Sequence, residues 1–238
     1  MIDNLLAIGV AVRAVDPVTK EQWTYTGCGG HLVAKLDGLA WGFDEAPSVT
    51  HVVECKTHSG KSWRDVVAKG VKVSKPAHNA QVQIGMHLSG HVRAYYMAHN
   101  KDTDELYQER IALDPVAVAQ LMAQAQRIID AKEPPAKLHE NPNSKAAFQC
   151  GMCANYAQCH AGVAANRNCR TCLSSTPVDG GWHCDLHNKM LTLDEQQAGC
   201  GRHLYIPALV AGEQVDASET DRTVTYKLRY GETWVDGV

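Results

Sequence analysis

The sequence predicts an α/β core followed by a cysteine-rich metal module, and three observations carry that expectation. Apolar segments with strand-like alternation are broken by two helical stretches, one over 76–89 and one from Pro115 onward. Their order along the chain is strands, helix, strands, helix. Seven of the nine cysteines then crowd between Cys150 and Cys200, with only Cys28 and Cys55 before them. An odd count without a secretion signal argues against a disulfide framework, and tight CxxC spacing favours metal. The expected divisions are a core over 1–136, a CxxCx5C segment over 137–165, a zinc-binding module over 166–210 and a β-hairpin tail over 211–238.

Residues 5–15 and 22–43 read as β-rich, with turns at Asp16-Pro17 and 27–30. Residues 31–43 and 49–57 read as neighbouring strands joined by a turn around 44–48. A short helical piece is expected over 63–70. Pro76 then opens a helix that runs to Ser89 and is closed by Gly90. Strands over 92–99 and 105–113 flank the hairpin turn Asn100 to Asp104. Asp114 is an N-cap ahead of Pro115, and Val118, Leu121, Met122, Ala125, Ile128 and Ile129 follow at helical spacing. Glu133-Pro134-Pro135 ends that helix. The tail over 222–234 alternates like a small hairpin, with Gly231 near its end.

With 45% hydrophobic and 21% charged residues, the composition is that of an ordinary soluble globular protein. The N-terminus lacks a basic n-region and no apolar run reaches membrane length, so a cytoplasmic setting and no membrane contact are expected. A net charge of −3 does not announce a nucleic-acid partner, so such a role has to rest on a local site.

That local site is the strand around Glu54-Cys55-Lys56. Period-2 alternation puts Glu54 and Lys56 on one face and Val53 and Cys55 on the other. An acid and a base on one strand face can be a solvated edge of little energetic consequence. Asp130-Ala-Lys132 repeats the pattern by accident on a helix. Glu54 differs because Asp37-Gly38 lies on the preceding strand, where the turn can bring Asp37 beside it. Two such carboxylates can hold Mg²⁺ or Mn²⁺, and the backbone carbonyl of Cys55 is a third oxygen. Lys56 would then help deprotonate or orient a metal-bound water. The Cys55 sulfur faces the core.

Gly30 to Gly38, then Val52-Val-Glu-Cys-Lys-Thr57, then Lys75 to Gln83 resemble the ordered motifs of the PD-(D/E)XK nuclease superfamily, and most closely its RecB-type branch with phage-encoded and CRISPR-adaptation members. The resemblance covers roughly residues 25–205, including the stretch from Ala94 to Asp104. It implies a restriction-endonuclease-like core, a mixed central sheet flanked by helices. It also implies Asp37 and Glu54 as metal ligands, Lys56 as catalytic lysine and Gln81 as the glutamine that orients the site. Position 85, where the family often carries tyrosine, is glycine. The segment ahead of the first strand reads as too short for the family's helix with a further acidic or histidine ligand.

Cys150, Cys153 and Cys159 have CxxCx5C spacing, in which three thiolates can reach one ion or cluster. The resemblance to AddB-like and CRISPR-adaptation nucleases implies a [4Fe–4S] cluster there, with Cys28 or His160 as candidates for the fourth ligand. Cys169, Cys172, Cys184 and Cys200 follow in a loop-rich segment, with His187 as rival for the fourth place and His203 nearby. This spacing is a zinc signature, and a closed four-ligand site would be structural, the metal supplying folding free energy to a segment poor in apolar residues.

Of the histidines, His51, His58, His87, His91 and His99 have no partner spacing and read as surface or satisfied polar groups, whereas His31 and His78 fall inside the matched motifs. Lys61, Arg64, Lys69, Lys72 and Lys75 form a basic run that is either a solvated face or a phosphate contact. Tyr226, Tyr230 and Trp234 read as core or partner packing before base stacking. The function implied is a metal-dependent deoxyribonuclease acting at ends or single strands of DNA, in recombination or phage DNA processing. The alternatives are a non-catalytic DNA-binding or assembly protein that keeps the nuclease fold but lacks the first helix, and a zinc-stabilised adaptor; DNA is the expected partner, with a protein partner or a second copy beside it.

Overall fold

The computed structural model describes residues 1–237 and divides into two compact units, Met1–Ile128 and Ile129–Val238. In the first, helix α1 (Ile2–Ala7) precedes strands β1 (Ala11–Arg13), β2 (Thr24–Gly27), β3 (Leu32–Lys35), β4 (Gly38–Trp41) and β5 (His51–His58). Helices α2 (Gly60–Ser74) and α3 (Pro76–Ser89) follow, then β6 (Arg93–Asn100), β7 (Leu106–Ala112) and α4 (Pro115–Ile129). The main sheet has the order β1-β4-β5-β6-β7, and only the β5–β6 pair is parallel. A parallel pair needs a long crossover, and α2 with α3 supplies it. Strands β2 and β3 form a separate two-stranded sheet.

The central strands are buried on both faces, as apolar runs without alternation require. One face packs Val52, Ala94 and Tyr96 against Val66, Val71, Val82 and Met86 of α2 and α3. The other packs Val53, Tyr95 and Met97 against Leu5 of α1, with Cys55 beside them. The sheet is therefore mixed and covered by helices, which is the architecture the sequence predicts.

Several local expectations need correction. Residues 5–15 are not one strand, because the apolar run over 5–10 coils into α1 and turns at Gly9 (φ 87°) before β1. A helix therefore does precede the first strand. The segment over 31–43 is split at Leu36-Asp37, since the Leu36 N–H donates to Trp23 O and β3 turns away to pair with β2. Asp37 thus stands just ahead of β4, not at the end of a strand. The short helix expected over 63–70 runs on to Ser74 through a kink at Gly70 (φ 73°), where Glu109 Oε2 accepts the Val71 N–H at 2.8 Å. Helix α3 has the expected bounds, with proline in its first turn and Gly90 in the left-handed conformation at its end. Asp114 caps α4, accepting from the Val116 and Ala117 N–H groups at 3.1 Å. Ile128, expected on the core face of that helix, is exposed.

The second unit contains α5 (Tyr156–His160), a sheet of β8 (Ser175–Val178), β9 (Gly181–Cys184) and β10 (Lys189–Leu191), and α6 (Leu193–Ala198). The tail is a three-stranded sheet rather than a single hairpin: β11 (Gly212–Ser218), β12 (Thr223–Leu228) and β13 (Thr233–Asp236). Tyr226 is buried there and stacks on Trp234. Among the described residues, no helix is long and apolar enough to cross a membrane.

Candidate active site

Strand β5 presents Val52, Glu54, Lys56 and His58 in alternation toward α2 and α3, while Val53 and Cys55 enter the opposite cluster. The antiparallel register pairs Gly38 with Val53, which sets Asp37 next to Glu54. Asp37 Oδ2 accepts the Cys55 N–H at 2.8 Å. The contact that Cys55 makes with Asp37 is therefore through its amide, and its thiol is pushed up to about 11, chiefly by burial.

Glu54 is 2% exposed, and its carboxyl is held above the usual range. Burial is the main cause, countered by contact with Lys56 and by a hydrogen bond from Gln81, and reinforced by the Asp37 carboxylate. Lys56 Nζ is ion-paired with Glu54 Oε1. The structure thus gathers Asp37, Glu54, Lys56 and Gln81 on one patch. Two neighbouring carboxylates, one of them buried, suit a hard divalent cation by donor chemistry.

The same patch contains His78, which falls inside the matched motifs, and two groups that the motifs did not indicate, Tyr96 and His58. The Tyr96 hydroxyl, on the strand paired with β5, lies 3.0 Å from His58 Nε2 and 2.9 Å from His78 Nδ1. His58 Nδ1 in turn meets Ser62 Oγ at 3.0 Å. Burial, then Glu54, raises the Tyr96 phenol. His78 is lowered from 6.5 to about 4 by burial and by the nearby charges of Lys56 and Lys75, and His58 is lowered for the same reasons. The signal for His58 was present in the sequence: the alternation Glu54-x-Lys56-x-His58 keeps one face. Tyr96 depends on the β5–β6 register, which no local pattern reveals.

These histidines make stability depend on pH. Each has a folded pKa below its unfolded value, so their contribution is complete above about 6.5 and is lost as pH falls through the folded values, which for His78 is about 4. The thermal midpoint is expected to drop by several degrees over that window. Circular dichroism melts of the wild type and His78→Gln should show a shallower drop in the variant; parallel curves would remove His78 from this linkage.

At Gly85 a Cβ would lie 2.9 Å from Leu36 Cδ2, so a larger side chain there would require the buried Leu36 to shift. Of the basic run, Lys69 and Lys75 pair with Asp65, and Lys72 with Asp114. Those three belong to ion-paired surface, although Lys75 also acts electrostatically on both site histidines.

In the second unit, Cys169, Cys172 and Cys184 are buried and Cys200 is exposed, with its Sγ 3.9 Å from His187 Nε2. Cys169 lies within electrostatic reach of the other three thiols. The small cluster here consists of Cys169, Cys184 and Leu191 with Trp182 and Leu186 against it, so sulfur takes the place of hydrocarbon. His203 is also buried, against Thr171 and Tyr205. Cys150 is buried, whereas Cys153 and Cys159 are exposed. Among the described residues, no group of three or more His, Cys, Asp or Glu side chains is already arranged to hold a metal ion.

No protein-family model and no curated protein matches the chain. Solved structures with some similarity include LHK-Exo in complex with dAMP, at 17% identity and a TM-score of 0.38 over 52% of this chain and 58% of that one. The alkaline exonuclease LHK-Exo from Laribacter hongkongensis aligns at 16% identity and a TM-score of 0.35, over 53% and 63% of the two chains. SSO0001 aligns at 14% identity and a TM-score of 0.36, over 68% and 66%. The matches span less than two thirds of each of those chains.

Proposed function

We propose that the first unit is a metal-dependent deoxyribonuclease of the PD-(D/E)XK type, acting at ends or on single strands of DNA. The observation that carries this reading is the buried Glu54 carboxylate, set beside Asp37 and in contact with Lys56, on strands ordered as the sequence motifs require. Asp37 and Glu54 would hold Mg²⁺ or Mn²⁺, which supplies an acidic water and charge stabilisation at a phosphodiester. Lys56, a quarter exposed, can swing from Glu54 to a phosphate oxygen or a nucleophilic water, giving a positive charge and hydrogen-bond donors that orient the water. Gln81 braces Glu54 through its hydrogen bond. His78, neutral at physiological pH and tied to Tyr96, adds a polar wall without a competing cation.

Within the second unit we propose that Cys169, Cys172, Cys184 and Cys200 hold a structural Zn²⁺, with His187 as the alternative to Cys200. The donor chemistry and the sulfur-rich cluster support this. The split exposure of Cys150, Cys153 and Cys159 gives no comparable support for an iron–sulfur cluster.

The nuclease reading is tested on labelled single- and double-stranded DNA with added Mg²⁺ or Mn²⁺. The full chain is expected to cut, and Lys56→Ala to cut slower by at least about 10²-fold. Absence of metal-dependent cleavage by the intact chain would instead favour a DNA-binding role without catalysis.

A further inference from the structure

The C-terminal unit contains a groove of about 520 Å³ whose walls carry Lys137, Lys227, Arg229 and His160 against one carboxylate, Glu213. Lys227 and Arg229 belong to β12 and the turn after it, while His160 ends α5. Glu213 faces Lys227 across the β11–β12 register without forming an ion pair. Lys137, Lys227 and Arg229 have no ion-pair partner among the described residues. Unpaired cations lining one groove create a local positive potential on a chain whose net charge is −3.

Two neighbours narrow the ligand. Gln158 also lines the groove and is a neutral hydrogen-bonding side chain. Tyr230 follows Arg229 in the turn after β12, outside the groove's own lining, and is 91% exposed. Cations along a groove, a free aromatic face and a neutral hydrogen-bonding group are what an unpaired nucleic-acid strand uses: phosphates, a base to stack and a base or sugar edge.

We propose that this groove is a binding site for single-stranded DNA, a second hold on the substrate of the nuclease reading, on which the choice of DNA rests. Glu213 limits the affinity of the groove for a bare anion.

The test uses the full metal-loaded chain with Lys56→Ala to slow cleavage below the time of the measurement, and a fluorescent oligothymidine followed by anisotropy across a salt series. The triple variant Lys137→Gln/Lys227→Gln/Arg229→Gln is expected to bind about tenfold more weakly, and the slope of log K against log salt to shrink by about 2. Tyr230→Ala, at a position too exposed to affect folding, should weaken binding severalfold. Unchanged affinity and slope in the triple variant would overturn the proposal, as would equal binding of duplex DNA or full competition by inorganic polyphosphate. Hydrolysis of bis(p-nitrophenyl) phosphate, too small to span a groove, separates the two claims. A triple variant with Lys56 retained should keep that hydrolysis while losing DNA affinity. If no form of the chain hydrolyses any phosphodiester yet the triple variant still loses DNA, the nuclease reading fails and the groove stands.

Discussion

Glu54→Gln is expected to slow DNA cleavage by at least about 10²-fold while leaving the protein as stable as the wild type, or a few degrees more stable, at pH 8. The reason lies in the sign of the Glu54 shift. Its folded pKa stands above the ordinary carboxylate value because burial penalises the charge. Its favourable contribution is therefore present at low pH and is lost as pH rises through the folded pKa. The amide has the same shape without the charge, and Lys56, already partly in solvent, can turn outward. Lys56→Ala should do the opposite, leaving an ionised carboxylate buried beside Asp37 and lowering stability at pH 8 by about 3 kcal/mol. Melting curves and cleavage rates for both variants check this. A residue that served only the fold would lose stability and activity together in Glu54→Gln.

Under the proposed zinc site, removing metal from the second unit is the other large expected effect. Structural zinc supplies apparent free energies of about 10–16 kcal/mol in small zinc domains, more than a module with one buried leucine in its cluster can replace. Chelation, or Cys169→Ser, is expected to open residues 166–210 to protease while the first unit remains resistant. Elemental analysis should give about one zinc per chain before treatment. Protease patterns unchanged by chelator, together with no bound zinc, would contradict the assignment. A visible absorption band bleached by reductant or air would instead place iron at Cys150, Cys153 and Cys159.

The strands and helices that position the site were legible where a local rule decides them. Glu54 and Lys56 follow from period-2 alternation, and α3 from Pro76 and Gly90, whose backbone preferences act without tertiary help. Helix α1 was not legible, because a short apolar run fits a buried helix as well as a strand. The break at Leu36-Asp37 depends on β2, a partner that only the fold supplies. For the same reason Tyr96 and His58 were invisible as a pair: their contact is set by a parallel register across a two-helix crossover. Sequence spacing grouped the cysteines by their chemistry but could not tell buried thiols from exposed ones.

The most direct measurement of the central claim is the single-turnover cleavage rate of a single-stranded DNA as a function of Mn²⁺ concentration, for the wild type and Asp37→Asn. A site built from Asp37 and Glu54 predicts a saturating curve for the wild type, no cleavage without added metal, and a rate at least about 10²-fold lower in the variant at every concentration. Superimposable curves for the two proteins, or cleavage that ignores the metal, would contradict it.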